Sequence, residues 1–376
     1  MYDVEDNLFL LAGPVDLHPR VQRAMAQPAH AHRSPEFTEV NRELFELLQD
    51  VYQTDDPVLC LSGSGTSAMD AAVGSLVDGS DMVVVLDNGK FGNRMAKLAH
   101  RYAGEVTHLE QAWGQPFDLA TVDQAMHGAD ALLFTHNESS AAFTHPIEDL
   151  ADIAEGHDAL VIADCITSLG GIDVPVDELG LDACVSGSQK CLGAPAGLSF
   201  VSLSERAREQ LHEHPSYYID LPQYLDRWQD HQTPWTPATH LHLATREALR
   251  IVLEEGLEER FERVHRVAEA TRTGAQALGL DLLAEPEHRS DTLTAVEVPD
   301  GIEGEELLGA LKQEGIVIAG GQRHMSGEIF RVGHMGQVDV REIVAFYANL
   351  EGVLRDLGSK VEHGAAAQAI HDELGR

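Results

Sequence analysis

Three short stretches carry residue types that can do chemistry. Ser62-Gly63-Ser64-Gly65-Thr66-Ser67-Ala68 follows an apolar run and opens a helical pattern. Glycines there let the backbone approach an anion. The first helical turn adds free N–H groups and the positive end of the dipole, and the hydroxyls of Ser64, Thr66 and Ser67 add donors. No Gly-Lys-Thr/Ser follows, so this is not a nucleotide P-loop. Asp164 closes ALVIADC, at the carboxyl end of an apolar strand where α/β sheets bind ligands. An acid at that place also serves as a helix N-cap. Lys190, in SGSQKCLG, is one of only five lysines (with Lys90, Lys97, Lys312 and Lys360) and follows a strand that ends in small residues. A lysine shielded from water loses its proton more readily and can form a Schiff base. An anion nest, a carboxylate and an amine on successive strand ends suit pyridoxal phosphate: nest for the phosphate, carboxylate for the pyridine nitrogen, lysine for the aldehyde.

Such a site needs elements that bring the three ends together. LCLSGS, DMVVVLDN, ADALLFTHN, ALVIADC, DACVSGS and LSFVSLS read as buried strands, separated by amphipathic helical patterns such as TSAMDAAVGSLV and NRMAKLAHRYAG. The alternation predicts an α/β fold with a mostly parallel sheet covered on both faces. From about residue 238 a long, charged, helically periodic stretch reads as a solvated helix linking two domains. After it, LTAVEVP, IVIAGG and IFRVGHMG read as strands of a smaller domain, with EELLGALKQEG and VDVREIVAFYANLEGVLRDLG as helices and a short peripheral helix in the tail. The expected boundaries are an N-terminal segment 1–20, a large domain 21–255, a small C-terminal α+β domain 256–358 and a tail 359–376.

The motifs, taken in order, resemble the class V, fold-type I pyridoxal phosphate aminotransferases, nearest the alanine–glyoxylate and serine–pyruvate branch. The resemblance runs from AGPVDLHPRV through HRSPEF, SGSGTSAMDAA, NGKFGNR, THNESS, ADCITSLGG and SGSQKCLGAPAG to FRVGHMG. It implies a seven-stranded-type sheet in the large domain and a homodimer with sites shared across the interface. It also implies roles for individual residues. Lys190 matches the lysine that carries the cofactor, and Asp164 the partner of the pyridine nitrogen. Ser64, Gly65 and Thr66 match the phosphate loop, and Gln189 a residue near the phosphate. Phe91 stands where an aromatic stacks on the cofactor ring. Ser139, with Ser140 as its substitute, matches the hydroxyl near the phenolic oxygen, and Arg331, expected at the end of a small-domain strand near Gly333, the arginine that grips the substrate carboxylate. Thr236 matches the threonine that reaches the phosphate of the neighbouring subunit. One branch of the family has tyrosine three positions earlier, where this chain has Thr233. The implied reaction moves an amino group from a small amino acid, alanine or serine, to glyoxylate or pyruvate. Aspartate or another amine is the alternative donor.

Composition excludes other classes. The 376 residues carry 26 basic and 62 acidic side chains, a formal net charge of −36. That charge repels nucleic acid and anionic lipid. Diffuse acidity with scarce lysine suits a high-salt environment, where screening tolerates like charges. No apolar run reaches the length of a membrane span, and the acidic N-terminus does not resemble a secretory signal, so the expected location is cytoplasmic. The four cysteines have no zinc spacing and read as small buried hydrophobes. The histidine pairs His30/His32, His212/His214 and His240/His242 form no HExxH motif, so no catalytic metal is expected. His32 and Arg33 suit either an active-site mouth or a structural role, and Trp113, Trp228 and Trp235 suit packing. A class V lyase of the desulfurase type needs a nucleophilic cysteine on the small-domain side, and the last cysteine here is Cys191. A non-enzymatic relative would lack Lys190.

Overall fold

In the computed structural model, which describes residues 7–375, seven strands form the central sheet. The six apolar runs become Val58–Ser62, Met82–Asp87, Ala131–Thr135, Leu160–Asp164, Ala183–Gly187 and Leu198–Leu203. The seventh strand, Glu105–Glu110, is a half-exposed edge, paired parallel to Met82–Asp87. Its sequence, EVTHLE, is too polar to stand out as a buried run.

Leu198–Leu203 lies antiparallel between Val58–Ser62 and Ala183–Gly187; the remaining pairings are parallel. Two antiparallel pairings in succession restore direction. The strands that end at Ser62, Asp164 and Gly187 therefore finish on the same edge of the sheet, and so do those that end at Asp87 and Thr135.

Alternate strand residues point to opposite faces. Val84, Leu86 and Cys60 enter one core cluster, with Leu44 and Leu48 of the helix Pro35–Tyr52 and Leu249 and Val252 of Thr239–Glu255. Val83, Val85 and Leu61 enter the other, with Met69 and Val73 of Gly65–Leu76 and Met95 and Ala99 of Lys90–Tyr102. All four cysteines are buried and free.

The charged stretch after residue 238 is not one solvated linker. Two helices, Thr239–Glu255 and Leu257–Ala277, meet at Gly256, whose φ of 88° breaks the helical path. Both bury a face. Leu243, Ala248 and Leu249 turn inward from the first and Val264, Val267 and Ala268 from the second. Even Arg260 is buried, donating to the carbonyls of Gly170 and Cys191 and paired with Glu255. The charge pattern describes only the outer side of these helices.

A second, three-stranded antiparallel sheet contains Leu293–Glu297, Ala319–Gly320 and Ile329–Gly333, with the last in the centre. Gly304–Gln313 and Val340–Asp356 cover it, and the tail helix Ala365–Glu373 adds Ala366 and Ile370 to the same core. The chain's start crosses between the sheets. Leu8–Phe9 pairs parallel with Ile316–Val317, and the backbone then runs past Gly333 to Lys190. No helix among the described residues is long and apolar enough to cross a membrane.

Candidate active site

The nest forms because the chain leaves Ser62 and enters Gly65–Leu76 at once. Ser64 is the helix N-cap, and no side chain caps it. The hydroxyl of Ser67 turns back to the Ser64 carbonyl at 2.7 Å, while Ser64 and Thr66 face solvent. Gly65 is needed for close packing: a Cβ there would sit 2.4 Å from Ile166, two residues beyond Asp164. The Ser67 N–H is used on the Ser64 carbonyl, and the N–H groups of Gly65 and Thr66 stand open beside the neighbouring strand end.

Asp164 is buried. Its carboxylate accepts from the Ile166 backbone N–H at 3.0 Å and lies 3.4 Å from the Thr135 hydroxyl. The N-cap role open to it at the sequence level is not taken up, since only a turn follows. Burial pushes its pKa up to about 7. Lys190 is shielded by the chain's start. Its Nζ donates to the Ala12 carbonyl at 2.6 Å, and a Cβ at Gly13, whose φ is 89°, would fall 2.3 Å from its Cδ. Burial pulls its pKa down to about 8, so a reactive fraction is neutral near physiological pH.

Phe91 opens the helix Lys90–Tyr102, and its ring has the Arg94 guanidinium 4.8 Å from its centroid. The buried Glu138 holds that helix start: Oε2 accepts from the N–H groups of Phe91 at 2.8 Å and Gly92 at 2.9 Å. Oε1 accepts from the Ser140 N–H and hydroxyl. The Ser140 hydroxyl also accepts from the Lys90 N–H, so Ser140 is spent on architecture and Ser139 is the freer hydroxyl. Arg331 stands at the middle of its strand rather than the end, opposite Ala295 and Ala319. It donates to the carbonyls of Gly320 and Ser139 and meets no carboxylate among the described residues.

The residues present fit the expected cofactor. The uncapped helix start at Gly65, with Arg94 beside it, offers donors, and Asp164 is a buried acceptor that pairs with no cation among the described residues. A phosphate would satisfy the first and a protonated pyridine nitrogen the second. Thr236 is not brought to this cluster. It is exposed, with its hydroxyl 3.4 Å from His32 Nε2. The Thr233 hydroxyl is used on the Trp235 carbonyl, and Arg33 clamps the same loop through Gln232, Thr233 and Pro234. Sequence reasoning misses Glu138, Arg94 and Gly13, although each lies in a quoted motif (THNESS, NGKFGNR and AGPVDLHPRV). Arg94 donates to the Thr66 hydroxyl at 2.9 Å and so adds a cation to the nest.

A pH dependence follows from Asp164. In the cofactor-free protein the folded state holds this proton up to about pH 7, while an unfolded aspartate releases it near pH ~4. Between these values only the folded state binds the proton, so rising pH favours unfolding. Asp164→Asn is expected to show a smaller fall in melting temperature between about pH 5 and about pH 7.5 than the parent protein. Equal falls would place the titration elsewhere.

A family model described as aminotransferase class V matches residues 20–354. An uncharacterised aminotransferase of Methanocaldococcus jannaschii is 37% identical over 98% of this chain and 97% of its own. A serine–glyoxylate aminotransferase of Methylorubrum extorquens is 30% identical over 98% and 96%. The crystal structure of the ureidoglycine–glyoxylate aminotransferase of Bacillus subtilis superimposes with a TM-score of 0.92 at 33% identity, covering 98% of both chains.

Proposed function

Because the chain belongs to the class V aminotransferases, a pyridoxal phosphate-dependent family of fold-type I, we propose that Lys190, Asp164 and the Ser64–Thr66 nest form its active site. The chain is a transaminase that moves an amino group from an amino acid to a 2-oxo acid. Glyoxylate is the acceptor we favour, as in the names of its serine and ureidoglycine relatives. A small donor such as alanine or serine is the simplest reading. The observation that carries the site is the placement of a buried amine of lowered pKa and a buried, unpaired carboxylate on one sheet edge with an uncapped helix start.

Pyridoxal phosphate supplies an aldehyde and a ring that withdraws electrons from the substrate's α-carbon. The chain supplies the rest. The N–H groups at Gly65 and Thr66, the Ser64 and Thr66 hydroxyls, Arg94 and the Gln189 amide hold the phosphate. Asp164 keeps a proton on the pyridine nitrogen, and Phe91 supports the ring. Ser139 offers a hydroxyl to the phenolic oxygen. Arg331 orients the substrate by its α-carboxylate. Lys190 would hold the cofactor's aldehyde carbon, and its Nζ, when free, would take a proton from the substrate α-carbon as general base and return one as general acid. Mixing loaded protein with donor alone should release one 2-oxo acid per chain before any acceptor is added. A panel of donors tests this reading, and no release with any of them overturns it.

We place the enzyme in the cytoplasm, as a homodimer adapted to high salt. Exposure of Thr236 beside Tyr217 and Tyr218 supports a partner on that face. The net charge of −36 supports the salt reading, as does an open depression of about 1200 Å³ on the large sheet's side, lined by Asp56, Asp152, Glu155, Asp177, Glu178 and Glu209. Arg206 is the one basic residue in that lining, and the carboxylates that outnumber it repel unless screened. The melting temperature is expected to rise from low to multimolar KCl; equal values would reject the salt adaptation.

A further inference from the structure

Cations are scarce in this chain, and most of those with partners are held by acids. Arg20, Arg42, Arg206, Arg250, Arg263 and Arg272 all sit in ion pairs. Around Phe91 the pattern reverses. Lys90, Arg94, Arg323 and Arg331 gather there, and none forms an ion pair among the described residues. The Lys90 Nζ stands 5.9 Å from the Phe91 ring centroid and Arg94 4.8 Å from it. Arg323 donates to the neutral Asn93 side chain at 2.9 Å, on the same helix as Lys90 and Arg94. Arg331 donates to the carbonyl of Ser139, next to the serine that accepts from the Lys90 N–H. Burial first, and then the charges of Arg94, Arg331 and Arg323, lower the pKa of Lys90. The two carboxylates at this helix start are already occupied: Glu138 by three N–H groups and a hydroxyl, and Asp87 by the Gly89 N–H, the Asn93 amide and His108.

The loop that brings Arg323 is held in an unusual way. Arg323 has a φ of 53°, in the left-handed region that costs a side-chain-bearing residue energy. The next residue, His324, packs edge-on against Trp113 with ring centroids 4.6 Å apart. Backbone strain and an aromatic anchor together keep a cation where no acid among the described residues pairs with it.

The proposed reaction accounts for two anions at this place. The cofactor phosphate takes the nest with Arg94, and the substrate α-carboxylate takes Arg331. Two cations are left over. Resting on the transaminase reading above, we infer that Lys90 and Arg323 form a subsite for a second carboxylate, so that besides a small donor the site takes a dicarboxylic amino acid or oxo acid in preference to a monocarboxylic one of the same length. Lys90, on the cofactor's helix, and Arg323, on the opposing loop, receive the distal carboxylate from two sides.

The test is calorimetric titration of the cofactor-loaded protein with succinate and with butyrate at one fixed KCl concentration. Succinate is expected to bind about tenfold or more tightly than butyrate, the worth of one charge-assisted hydrogen bond. In Lys90→Met that ratio should collapse to about twofold or less, in Arg323→Gln it should shrink, and in Lys90→Arg it should be largely kept. A control titration with 3-phosphonopropionate tells whether the subsite prefers a carboxylate or a phosphonate. Tighter binding of the phosphonate than of succinate overturns the carboxylate assignment. So does a succinate-to-butyrate ratio near one, or a ratio that survives in both Lys90→Met and Arg323→Gln. Release of a 2-oxo acid by the parent protein reads the transaminase proposal separately, so either can fail alone.

Discussion

Lys190→Ala is expected to abolish covalent attachment of the cofactor and to lower kcat by about 10²–10⁴-fold or more, the range lost with a positioned general acid–base. The reasoning starts from the setting of Lys190. The Ala12 carbonyl, the Gly13 backbone and burial place its amine at the sheet edge and lower its pKa to about 8. Alanine removes both the attachment point and the proton carrier. It leaves the nest and Asp164 in place, so the cofactor should still bind, more weakly and reversibly. Borohydride treatment followed by peptide mapping reads this directly. Label should appear on Lys190 in the parent and nowhere in the variant. A labelled variant would move the attachment to Lys90, Lys97 or Lys312.

Arg331→Lys should lower kcat/KM about tenfold to a hundredfold with donor and with acceptor alike. Arg331 spends its Nε–H and one N–H on each terminal nitrogen on the Gly320 and Ser139 carbonyls. Of the five donors an arginine carries, one remains on each terminal nitrogen for a carboxylate to accept. Lysine keeps the charge but loses the fork and the ties that aim it. Loss of one charge-assisted hydrogen bond costs roughly 1.5–3 kcal/mol. Single-turnover measurements of both half reactions check it. Borohydride labelling of Lys190 should be unaffected. If both half reactions keep parental efficiency, the α-carboxylate binds elsewhere.

The interior of the fold is legible in the sequence because buried parallel strands are continuous apolar runs, and all six such runs are strands. Glu105–Glu110 escapes notice because an edge strand is wetted along one side. The insertion of Leu198–Leu203 between two other strands leaves no local mark, since pairing depends on distant segments. The site divides in the same way. Of the proposed site, Ser64, Asp164 and Lys190 stand out in the sequence because each lies at or just beyond the end of an apolar run. Glu138 and Arg94 cannot, because their work is done on partners from other strand ends: backbone N–H groups at Phe91 and Gly92, and the Thr66 hydroxyl. The break at Gly256 is legible in principle, as a glycine inside a helical pattern, yet the flanking charge suggests a single exposed helix.

The path of the chain's start sets the order in which the enzyme can be built. Leu8–Phe9 has no strand to pair with until Ile316–Val317 exists, and Leu10 joins a core completed by Phe330, Phe346 and Ile370. During synthesis Leu8–Phe9 leaves the ribosome long before the strand it pairs with, so this contact closes late. The central sheet can form before then, and the segment whose Ala12 carbonyl and Gly13 backbone meet Lys190 is held at two points, by the Val15 N–H on the Gln189 carbonyl and by the Gly333 N–H on the Leu10 carbonyl. A nascent or C-terminally truncated chain would lack the second tie and cover the lysine less firmly.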